Sequence, residues 1–232
     1  MKAFLLAAGH GTRLRPITDS IPKCLVPIRG VPMLAIWLSV CKKLGIEEVL
    51  INLHAQADAV LGFLRQSGEH NVRVHVSEEK QLLGSAGTLR ANRQWVEGED
   101  LFWIFYADVL HRADLRGMLQ LHRRHGLAAT LGVYEVPDPT RCGIVSTNCQ
   151  GVIDGFVEKP RQPIGNLAFS GLMIATPEVL NVIPDSNAPS DLGFHVLPKL
   201  IGQMLAFPIR DYLIDIGTLE NYQRAQATWP GL

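Results

Sequence analysis

Two glycines and an arginine follow the first apolar run of the chain. Residues 9–16 read Gly-His-Gly-Thr-Arg-Leu-Arg-Pro, directly after the apolar residues 3–8. Because they lack a side chain, Gly9 and Gly11 let backbone N–H groups approach phosphate oxygens, and Arg13 adds a cationic fork that suits phosphate. Open α/β sheets bind ligands beyond the carboxyl ends of their strands. The sequence therefore predicts a phosphate-binding loop, with a plain structural turn as the alternative.

Two commoner phosphate motifs do not match this loop. A dinucleotide fingerprint needs a third glycine where the chain has Leu14, and the Gly-Lys-Ser/Thr of a Walker loop is absent. Lys23, within the proline-bounded residues 22–27, supplies a second cation just downstream. A lysine in a loop is more often only solvated. Lys23 is therefore a candidate phosphate ligand only together with the glycine loop that precedes it.

Two aspartates follow apolar runs. Asp108 comes after residues 101–107, and Asp215 comes after residues 212–214 and before Gly217. A carboxylate at the end of a buried strand is costly unless it is paired, exposed in a cleft or bound to a cation. Asp215 has the alternative role of capping the helix that follows it. The histidines offer no comparable site: His122 and His125 lie on a predicted helix without acidic partners, and we expect a solvated helix face.

Composition narrows the class of protein. The chain has 232 residues, with 22 basic and 22 acidic side chains, so it lacks the positive charge typical of nucleic-acid binders. The four cysteines show neither a C-x-x-C pair nor zinc-ligand spacing, which fits a reducing compartment. No apolar run is long enough for a signal peptide or a membrane span. We therefore expect a cytoplasmic protein without nucleic-acid or membrane partners.

The alternation of short apolar runs with periodic segments predicts an α/β fold, a Rossmann-like mixed, mostly parallel sheet with helices on both faces. We expect a single domain over residues 1–232, in two halves, 1–126 and 127–232, with no appended β-helix. Uncovered sheet edges in the second half would suit a homodimer. The predicted strands are residues 3–8, 48–53, 72–77, 101–107, 128–136, 144–147, 152–158 and 167–175. The predicted helices are residues 33–44, 57–66, 86–95, 115–125, 192–204 and 219–227.

Together with four further motifs, the two N-terminal motifs resemble the sugar-1-phosphate nucleotidyltransferases, above all the mannose-1-phosphate guanylyltransferases. This resemblance covers almost the whole chain and implies a glycosyltransferase-A-like nucleotidyltransferase fold. It makes residues 1–126 the nucleotide-binding half and residues 127–232 the sugar-phosphate-binding half. The further motifs are Leu-Gly-Ser-Ala-Gly-Thr at 83–88, Tyr-Ala-Asp at 106–108, Phe-Val-Glu-Lys-Pro at 156–160 and Asp-Ile-Gly-Thr at 215–218.

The resemblance implies attack by a sugar-1-phosphate oxygen on the α-phosphorus of a nucleoside triphosphate, with release of pyrophosphate. Arg13 would hold the part that leaves as pyrophosphate, Lys23 the α-phosphate and Lys159 the sugar phosphate. Asp108 and Asp215 would hold Mg²⁺, which prefers hard oxygen ligands. For Lys159, an ordinary surface lysine is the alternative.

The resemblance also implies binding residues for both substrates. Relatives often carry a sugar-contacting asparagine where this chain has Phe169, so Ser170 becomes a substitute donor and the sugar stays open. The implied sugar-side residues are Gly143, Glu158, Lys159 and Ser170. The implied nucleotide-side residues are Leu6, Ala8, Gly9, Gly11, Thr12, Arg13, Lys23, Glu79, Gly84, Gly87 and Asp108.

The resemblance implies that the nucleobase binds at residues 77–84, the segment that leads into the second glycine loop. A carboxylate can pair with the adjacent N1–H and N2 amino donors of guanine, but it repels the carbonyls that flank the single N–H of uracil or thymine. Glu79 has the spacing of the guanylyltransferases, and Glu78 is the second choice; solvated glutamates are the alternative. We therefore expect GTP as donor, then UTP or dTTP. Competing hypotheses are nucleotidyl transfer to a non-sugar phosphate or a molybdenum-cofactor precursor, and a regulatory relative without catalysis.

Overall fold

A computed structural model describes residues 1–66, 72–186 and 188–232, which form two compact units. Unit 1 comprises Met1–Leu82, Phe105–Ala113 and Asp211–Leu232. Unit 2 comprises Leu83–Ile104 and Asp114–Arg210. Unit 1 is thus assembled from three separate stretches of chain. The predicted division at residue 126 concerns which half binds which substrate, and it stays a prediction.

Thirteen strands and six α-helices are found in the described residues. The strands are β1 (Lys2–Leu6), β2 (Pro27–Ile28), β3 (Val31–Pro32), β4 (Glu48–Leu53), β5 (Arg73–Glu78), β6 (Phe102–Tyr106), β7 (Val109–His111), β8 (Ala129–Glu135), β9 (Gly143–Thr147), β10 (Ile153–Glu158), β11 (Leu167–Ala175), β12 (Met204–Pro208) and β13 (Leu213–Asp215). The helices are α1 (Met33–Leu44), α2 (Ala57–Gln66), α3 (Gly84–Ala91), α4 (Leu115–His125), α5 (Glu178–Asn181) and α6 (Leu219–Thr228).

Unit 1 contains a parallel three-stranded segment in the order β1-β4-β5. The register pairs Leu6 with Asn52 and Leu53 with Glu78, so the carboxyl ends of these strands lie side by side. Apolar side chains such as Phe4 and Ile51 are fully buried, as expected for a sheet covered by helices. The two antiparallel pairs β2–β3 and β7–β13 complete the unit. The strand ends are therefore fixed where the predicted phosphate loop begins.

Unit 2 contains a mixed sheet in which β9 pairs with β10 and β11, and β8 pairs with β11 and β12. Only the β8–β12 pairing is parallel among these. Strand β11 carries a bulge between Phe169 and Met173 where it pairs with β8. Helix α4 begins after Asp114, whose side chain accepts a hydrogen bond from the Gly117 N–H at 2.9 Å, and ends at Gly126.

The predicted elements agree with these bounds in most places. Helices α1, α2 and α4 and strands β4 and β11 have the predicted limits, and the mixed α/β character is confirmed. The predicted helix over residues 192–204 is wrong. The chain instead forms two short helical turns, Leu192–Val196 and Leu197–Leu200, and then enters β12. Pro198 lacks an N–H and Gly202 has φ 83°, so neither favours a continuous helix.

The predicted solvated face of α4 is also wrong. His122 is buried, and its Nδ1 lies 2.9 Å from Thr130 Oγ1 at the start of β8. His125 Nε2 lies 2.8 Å from the same hydroxyl. Burial lowers the pKa of His122 to about 4, so this imidazole is neutral at pH 7. The histidine pair therefore packs against the start of β8, with His122 buried and His125 half-buried.

None of the described helices is long and apolar enough to cross a membrane. The four cysteines are free thiols. Burial raises the pKa of Cys24 and of Cys41 to about 12, so both thiols are unreactive near neutral pH.

Candidate active site

The loop after β1 leaves open space at its first glycine. A Cβ on Gly9 would meet no atom within 4 Å, whereas a Cβ on Gly11 would lie 2.9 Å from Thr18 Cγ2. Gly11 also has φ 63°, and its carbonyl accepts a hydrogen bond from Thr18 Oγ1 at 2.8 Å. Packing therefore requires Gly11, while Gly9 is available to a ligand. Thr12 is exposed at the start of the next helical turn and Ala8 is buried.

A pocket in unit 1 opens beside this loop. It is bounded by the ends of β1 and β4 and by the segment around Lys23. The rings of His10 and His54 lie at its wall, 5.2 Å apart and edge to face. The Lys23 ammonium group and two imidazole rings thus border a space next to the predicted phosphate loop. The lining residues are Ala7, Gly9, His10, Thr18, Pro22, Lys23, Cys24, Leu53, His54, Ala55, Gln56 and Val60.

Lys23 and Asp108 form an ion pair in unit 1. The Lys23 ammonium contacts Asp108 Oδ2, and the two side chains are only 12% and 27% exposed. Burial by itself raises the pKa of Asp108, but the charge and hydrogen bond of Lys23 outweigh it, so the pKa is lowered. The Ala107 N–H just before Asp108 donates to Leu6 O at 3.0 Å. This bond ties the acidic turn to the end of β1.

The pairing of β7 with β13 brings the second aspartate to the first. Asp215 lies opposite Val109, and the Ile216 N–H donates to Asp108 O at 2.9 Å. Burial raises the pKa of Asp215, and the negative charge of Asp108 raises it further. The helix-cap alternative for Asp215 is wrong, because Thr218 caps α6 with its hydroxyl.

The two aspartates fit a hard dication. The two shielded carboxylates repel each other, and a divalent cation bound between them would relieve this repulsion. Mg²⁺ prefers oxygen ligands such as these. Within the described ranges no three His, Cys, Asp or Glu side chains gather as a metal site. Mg²⁺ usually takes one or two protein carboxylates and completes its shell with water and phosphate. That Asp108 and Asp215 hold Mg²⁺ stays a prediction.

Arg13 reaches the same place from the glycine loop. A Cβ on Gly217 would lie 2.9 Å from Arg13 Nη2 and 2.8 Å from Asp215 Oδ1. The Gly217 N–H donates to Asp215 Oδ1 at 2.6 Å. Any side chain at position 217 would displace one of the two charged groups. The structure therefore brings Arg13, Lys23, Asp108 and Asp215 together.

Glu79 and Glu78 differ sharply in environment. Glu79 is 6% exposed, and its Oε1 accepts a hydrogen bond from Asn52 Nδ2 at 2.8 Å, whereas Glu78 is exposed. A buried carboxylate held by a neutral amide is better suited than a solvated one to read a base. The geometry favours Glu79, and its contact with a nucleobase stays a prediction.

The second glycine loop is occupied by the chain itself. Gly84 has φ 76°, and a Cβ there would lie 2.5 Å from Ser190 O. The N–H groups of Ala86 and Gly87 donate to this same carbonyl at 2.9 and 3.0 Å. Close packing thus explains both glycines without a ligand. Nucleotide contact by Gly84 and Gly87 stays a prediction.

A second charged group of residues lies in unit 2. Gly143 faces Glu158 across β9 and β10, and a Cβ on Gly143 would lie 2.7 Å from Glu158 Oε2. Lys159 Nζ is 3.6 Å from Glu158 Oε1 and its side chain is 56% exposed. Lys159 has φ 48°, an unfavourable backbone conformation for a residue with a side chain, which is often found at functional sites.

Sequence reasoning missed three residues beside Glu158. A Cβ on Gly193 would collide with Glu158 Oε2. The Phe194 ring centre lies 5.6 Å from Lys159 Nζ, and 53% of Phe194 is exposed. Burial raises the pKa of Glu158, and the charge of Asp191 adds to it, although Lys159 opposes both. The adjacent Gly193 and Phe194 could have drawn attention to this segment. Both fall within the helix predicted over residues 192–204, and the prediction did not include them as site residues.

Ser170 lies elsewhere in the packing of unit 2. It is buried, and its Oγ accepts a hydrogen bond from the Leu172 N–H at 3.2 Å within the β11 bulge. A Cβ on Gly132 would lie 2.6 Å from this hydroxyl. These contacts give Ser170 a structural role, and nothing in them supports its prediction as a sugar ligand.

Comparisons with known proteins show the family and the fold. A family model described as Nucleotidyl transferase matches residues 2–230. Mannose-1-phosphate guanylyltransferase 1 of Arabidopsis thaliana is 32% identical over 228 residues, which are 96% of this chain and 63% of the relative. The catalytic subunit beta of mannose-1-phosphate guanylyltransferase from Xenopus tropicalis is 32% identical over 96% of this chain and 62% of its own length. The chain thus spans less than two thirds of these relatives.

Solved structures share the fold. A Bacillus anthracis protein to which glucose-1-phosphate thymidylyltransferase activity is attributed, in complex with a sucrose, superposes with a TM-score of 0.85 at 25% identity. That match covers 98% of this chain and 94% of the other. HddC from Yersinia pseudotuberculosis complexed with GMP-PN has a TM-score of 0.81 at 26% identity, covering 98% and 99%. The predicted nucleotidyltransferase-like fold class is confirmed.

Proposed function

Since the chain belongs to the nucleotidyl transferase family, we propose that it transfers a nucleoside monophosphate from GTP to a sugar 1-phosphate. The observation that carries this proposal is the meeting of Arg13, Lys23, Asp108 and Asp215 beside the glycine loop of unit 1. Cations and shielded carboxylates in one place suit a reaction between two polyanions.

The proposed step is an in-line displacement at the α-phosphorus. An oxygen of the sugar 1-phosphate forms a bond to that phosphorus, and the bond to the oxygen bridging the α- and β-phosphates breaks. Pyrophosphate leaves with the electron pair of the broken bond. Because no covalent intermediate is needed, the protein contributes mainly positioning and charge stabilisation.

Each charged residue of this site in unit 1 would bind a different part of the triphosphate or the metal ion. Arg13, on the glycine loop, would bind the phosphates that leave, and Lys23 would contact the α-phosphate. Asp108 and Asp215 would hold Mg²⁺, which when bound neutralises charge that develops on the phosphate oxygens. Gly9, which has open space above it, would let the backbone approach the triphosphate.

The residues of unit 2 suit the sugar phosphate. Lys159 offers an exposed cation for the phosphate, and Glu158 offers a shielded carboxylate that can accept hydrogen bonds from sugar hydroxyls. The exposed ring of Phe194 next to Lys159 can pack against the C–H face of a pyranose. The names of the curated relatives support mannose 1-phosphate as the first substrate to test.

The base preference rests on Glu79. Its carboxylate is buried and held by Asn52, so it can accept from both adjacent donors of guanine. A pyrimidine would place a carbonyl against it, and an unmet or repelled buried carboxylate costs about 1–3 kcal/mol. We therefore expect GTP to be preferred over UTP and dTTP by about 10- to 100-fold in kcat/KM.

The test is pyrophosphate release with GTP, UTP and dTTP, each combined with mannose 1-phosphate and with glucose 1-phosphate. Activity should require Mg²⁺, stop with a chelator and return when Mg²⁺ is added back. GTP with a sugar 1-phosphate should be the best pair. Equal kcat/KM for GTP and UTP would contradict the base assignment, and no release with any pair would contradict the proposed reaction.

A further inference from the structure

One buried amide lies between the glycine loop and Glu79. Asn52 stands near the end of β4, the strand between β1 and β5, and is 4% exposed. The two strands that flank β4 each lead into a segment with a proposed role. Strand β1 leads into the glycine loop, and β5 leads into Glu79. No feature of the sequence motifs pointed to this residue.

Asn52 makes a hydrogen bond to each side. Its Oδ1 accepts from the Ala7 N–H at 2.7 Å, and its Nδ2 donates to Glu79 Oε1 at 2.8 Å. Among the small polar side chains only an amide offers an acceptor on one branch and a donor on the other. An aspartate could still accept from Ala7, but it would repel the carboxylate of Glu79. A leucine of similar volume could do neither.

The backbone of Glu79 is held independently of Asn52. Its N–H donates to Leu53 O at 2.8 Å, and its carbonyl lies 2.7 Å from His54 Nδ1. The main chain of Glu79 is therefore fixed whether or not the amide is present. The bond from Asn52 acts on the carboxylate itself and holds its Oε1 atom.

We propose that Asn52 is a positioning residue that determines base preference by fixing the carboxylate of Glu79 relative to the glycine loop. The inference rests on the proposed function. Two adjacent guanine donors need a carboxylate in one orientation, because a rotated group meets only one of them. The phosphate loop and the base-reading carboxylate share one amide, so a ligand that engages both finds them in a fixed mutual geometry.

The experiment compares steady-state kinetics with GTP and UTP for the wild type, Asn52→Leu, Glu79→Gln and the double variant of the two. Asn52→Leu should lower the GTP-to-UTP ratio of kcat/KM about 10-fold, mainly through KM for GTP. KM for the sugar 1-phosphate should stay unchanged. If Asn52 acts through Glu79, adding Glu79→Gln to Asn52→Leu should produce little further loss.

A second double variant separates positioning from stability. In Asn52→Asp with Glu79→Gln, the glutamine can donate to the aspartate, so the hydrogen bond returns with its polarity reversed. Thermal unfolding should recover relative to Asn52→Asp alone, whereas the GTP preference should not. Asn148→Ala, which removes hydrogen bonds to a turn in unit 2, is the control and should keep the wild-type ratio.

The two levels of failure are distinct. A wild-type enzyme that uses GTP and UTP equally contradicts the proposed base preference. A wild-type GTP preference that persists in Asn52→Leu contradicts only the positioning role. A preference that follows thermal stability through every variant, including the polarity-reversed pair, assigns Asn52 a structural role and also overturns the inference.

Discussion

The charged residues of the two units are held in different ways. In unit 1, Lys23 and Asp108 are shielded and in direct contact, and strand pairing brings Asp215 to them. In unit 2, Lys159 is 56% exposed and its ammonium lies 3.6 Å from Glu158. Unit 1 thus holds a tight network of charges, while unit 2 presents a looser pair.

The difference follows from what fixes each group. In unit 1 the fixing elements are regular: the β7–β13 pairing and the hydrogen bond from Ala107 to the end of β1. In unit 2 they are the absence of side chains at Gly143 and Gly193 and the left-handed backbone of Lys159. Opposed charges need fixed positions because their energies depend steeply on distance. In unit 2 the position of Glu158 depends instead on the space that the two glycines leave.

The largest effect should come from the carboxylates of unit 1. We expect Asp108→Asn and Asp215→Asn each to reduce turnover at least about 100-fold, because each removes a hard ligand for the proposed metal. Pyrophosphate release at saturating substrates measures this. Asp58→Asn, an exposed aspartate on α2 of the same unit, is the control and should be fully active. Wild-type turnover in either site variant would end the two-aspartate hypothesis.

Replacing one cationic residue in each unit tests whether the two units bind different substrates. Arg13→Ala should raise KM for GTP about 10-fold and leave KM for the sugar 1-phosphate nearly unchanged. Lys159→Ala should do the reverse. Separate KM measurements for the two substrates, each at saturation of the other, give the answer. The opposite pattern would show that the assignment of substrates to these residues is wrong.

A smaller effect is expected from the shape of unit 2. Gly193→Ala forces Glu158 to move, so KM for the sugar 1-phosphate should rise about 5-fold at unchanged KM for GTP. Gly165→Ala is the matched control, since a Cβ there meets nothing within 4 Å. If both alanine variants behave alike, Glu158 does not depend on Gly193 for its position.

The smallest effect on turnover concerns a feature outside both charged clusters. Burial lowers the pKa of His122 to about 4, below the value of about 6.5 in an unfolded chain. Between these values the unfolded state binds more protons, so stability is complete above about pH 6.5 and falls as the pH drops towards 4. In His122→Gln the stability loss between pH 7 and pH 5 should shrink by on the order of 1–2 kcal/mol.

Urea unfolding at the two pH values measures this loss, with turnover at pH 7 unchanged as the internal control. His10→Gln is not used as a control variant, because His10 lines the pocket and its replacement could change turnover. An identical pH dependence in wild type and His122→Gln would show that His122 does not titrate in this range.

Sequence reasoning found the residues that close a strand or follow a glycine. The resemblance grouped Arg13, Lys23, Asp108 and Asp215 in one site. In the structure they meet through the antiparallel β7–β13 pairing and the hydrogen bond from Ala107 to the end of β1, and neither β7 nor β13 was among the predicted strands. The spacing implied by the resemblance favoured Glu79 over Glu78, but it did not show which of the two is buried. Which of two adjacent residues is buried depends on where β5 ends, and that is settled by packing.

The residues that were missed or misjudged have partners on other elements of the fold. Asn52 contacts residues 45 positions before it and 27 after it. His122 lies next to Thr130, which belongs to the strand that follows the turn at Gly126. Periodicity describes one element at a time, so it carries no information about such partners.

The assembly of unit 1 from three stretches has a consequence for the order of synthesis. A chain grows from its amino terminus, so β1, β4 and the glycine loop emerge long before β13. Until residues 211–232 are made, β7 has no β13 to pair with and Asp108 lacks its acidic neighbour. The nascent chain can therefore build its phosphate loop early, but the paired carboxylates exist only after residues 211–232 have been made.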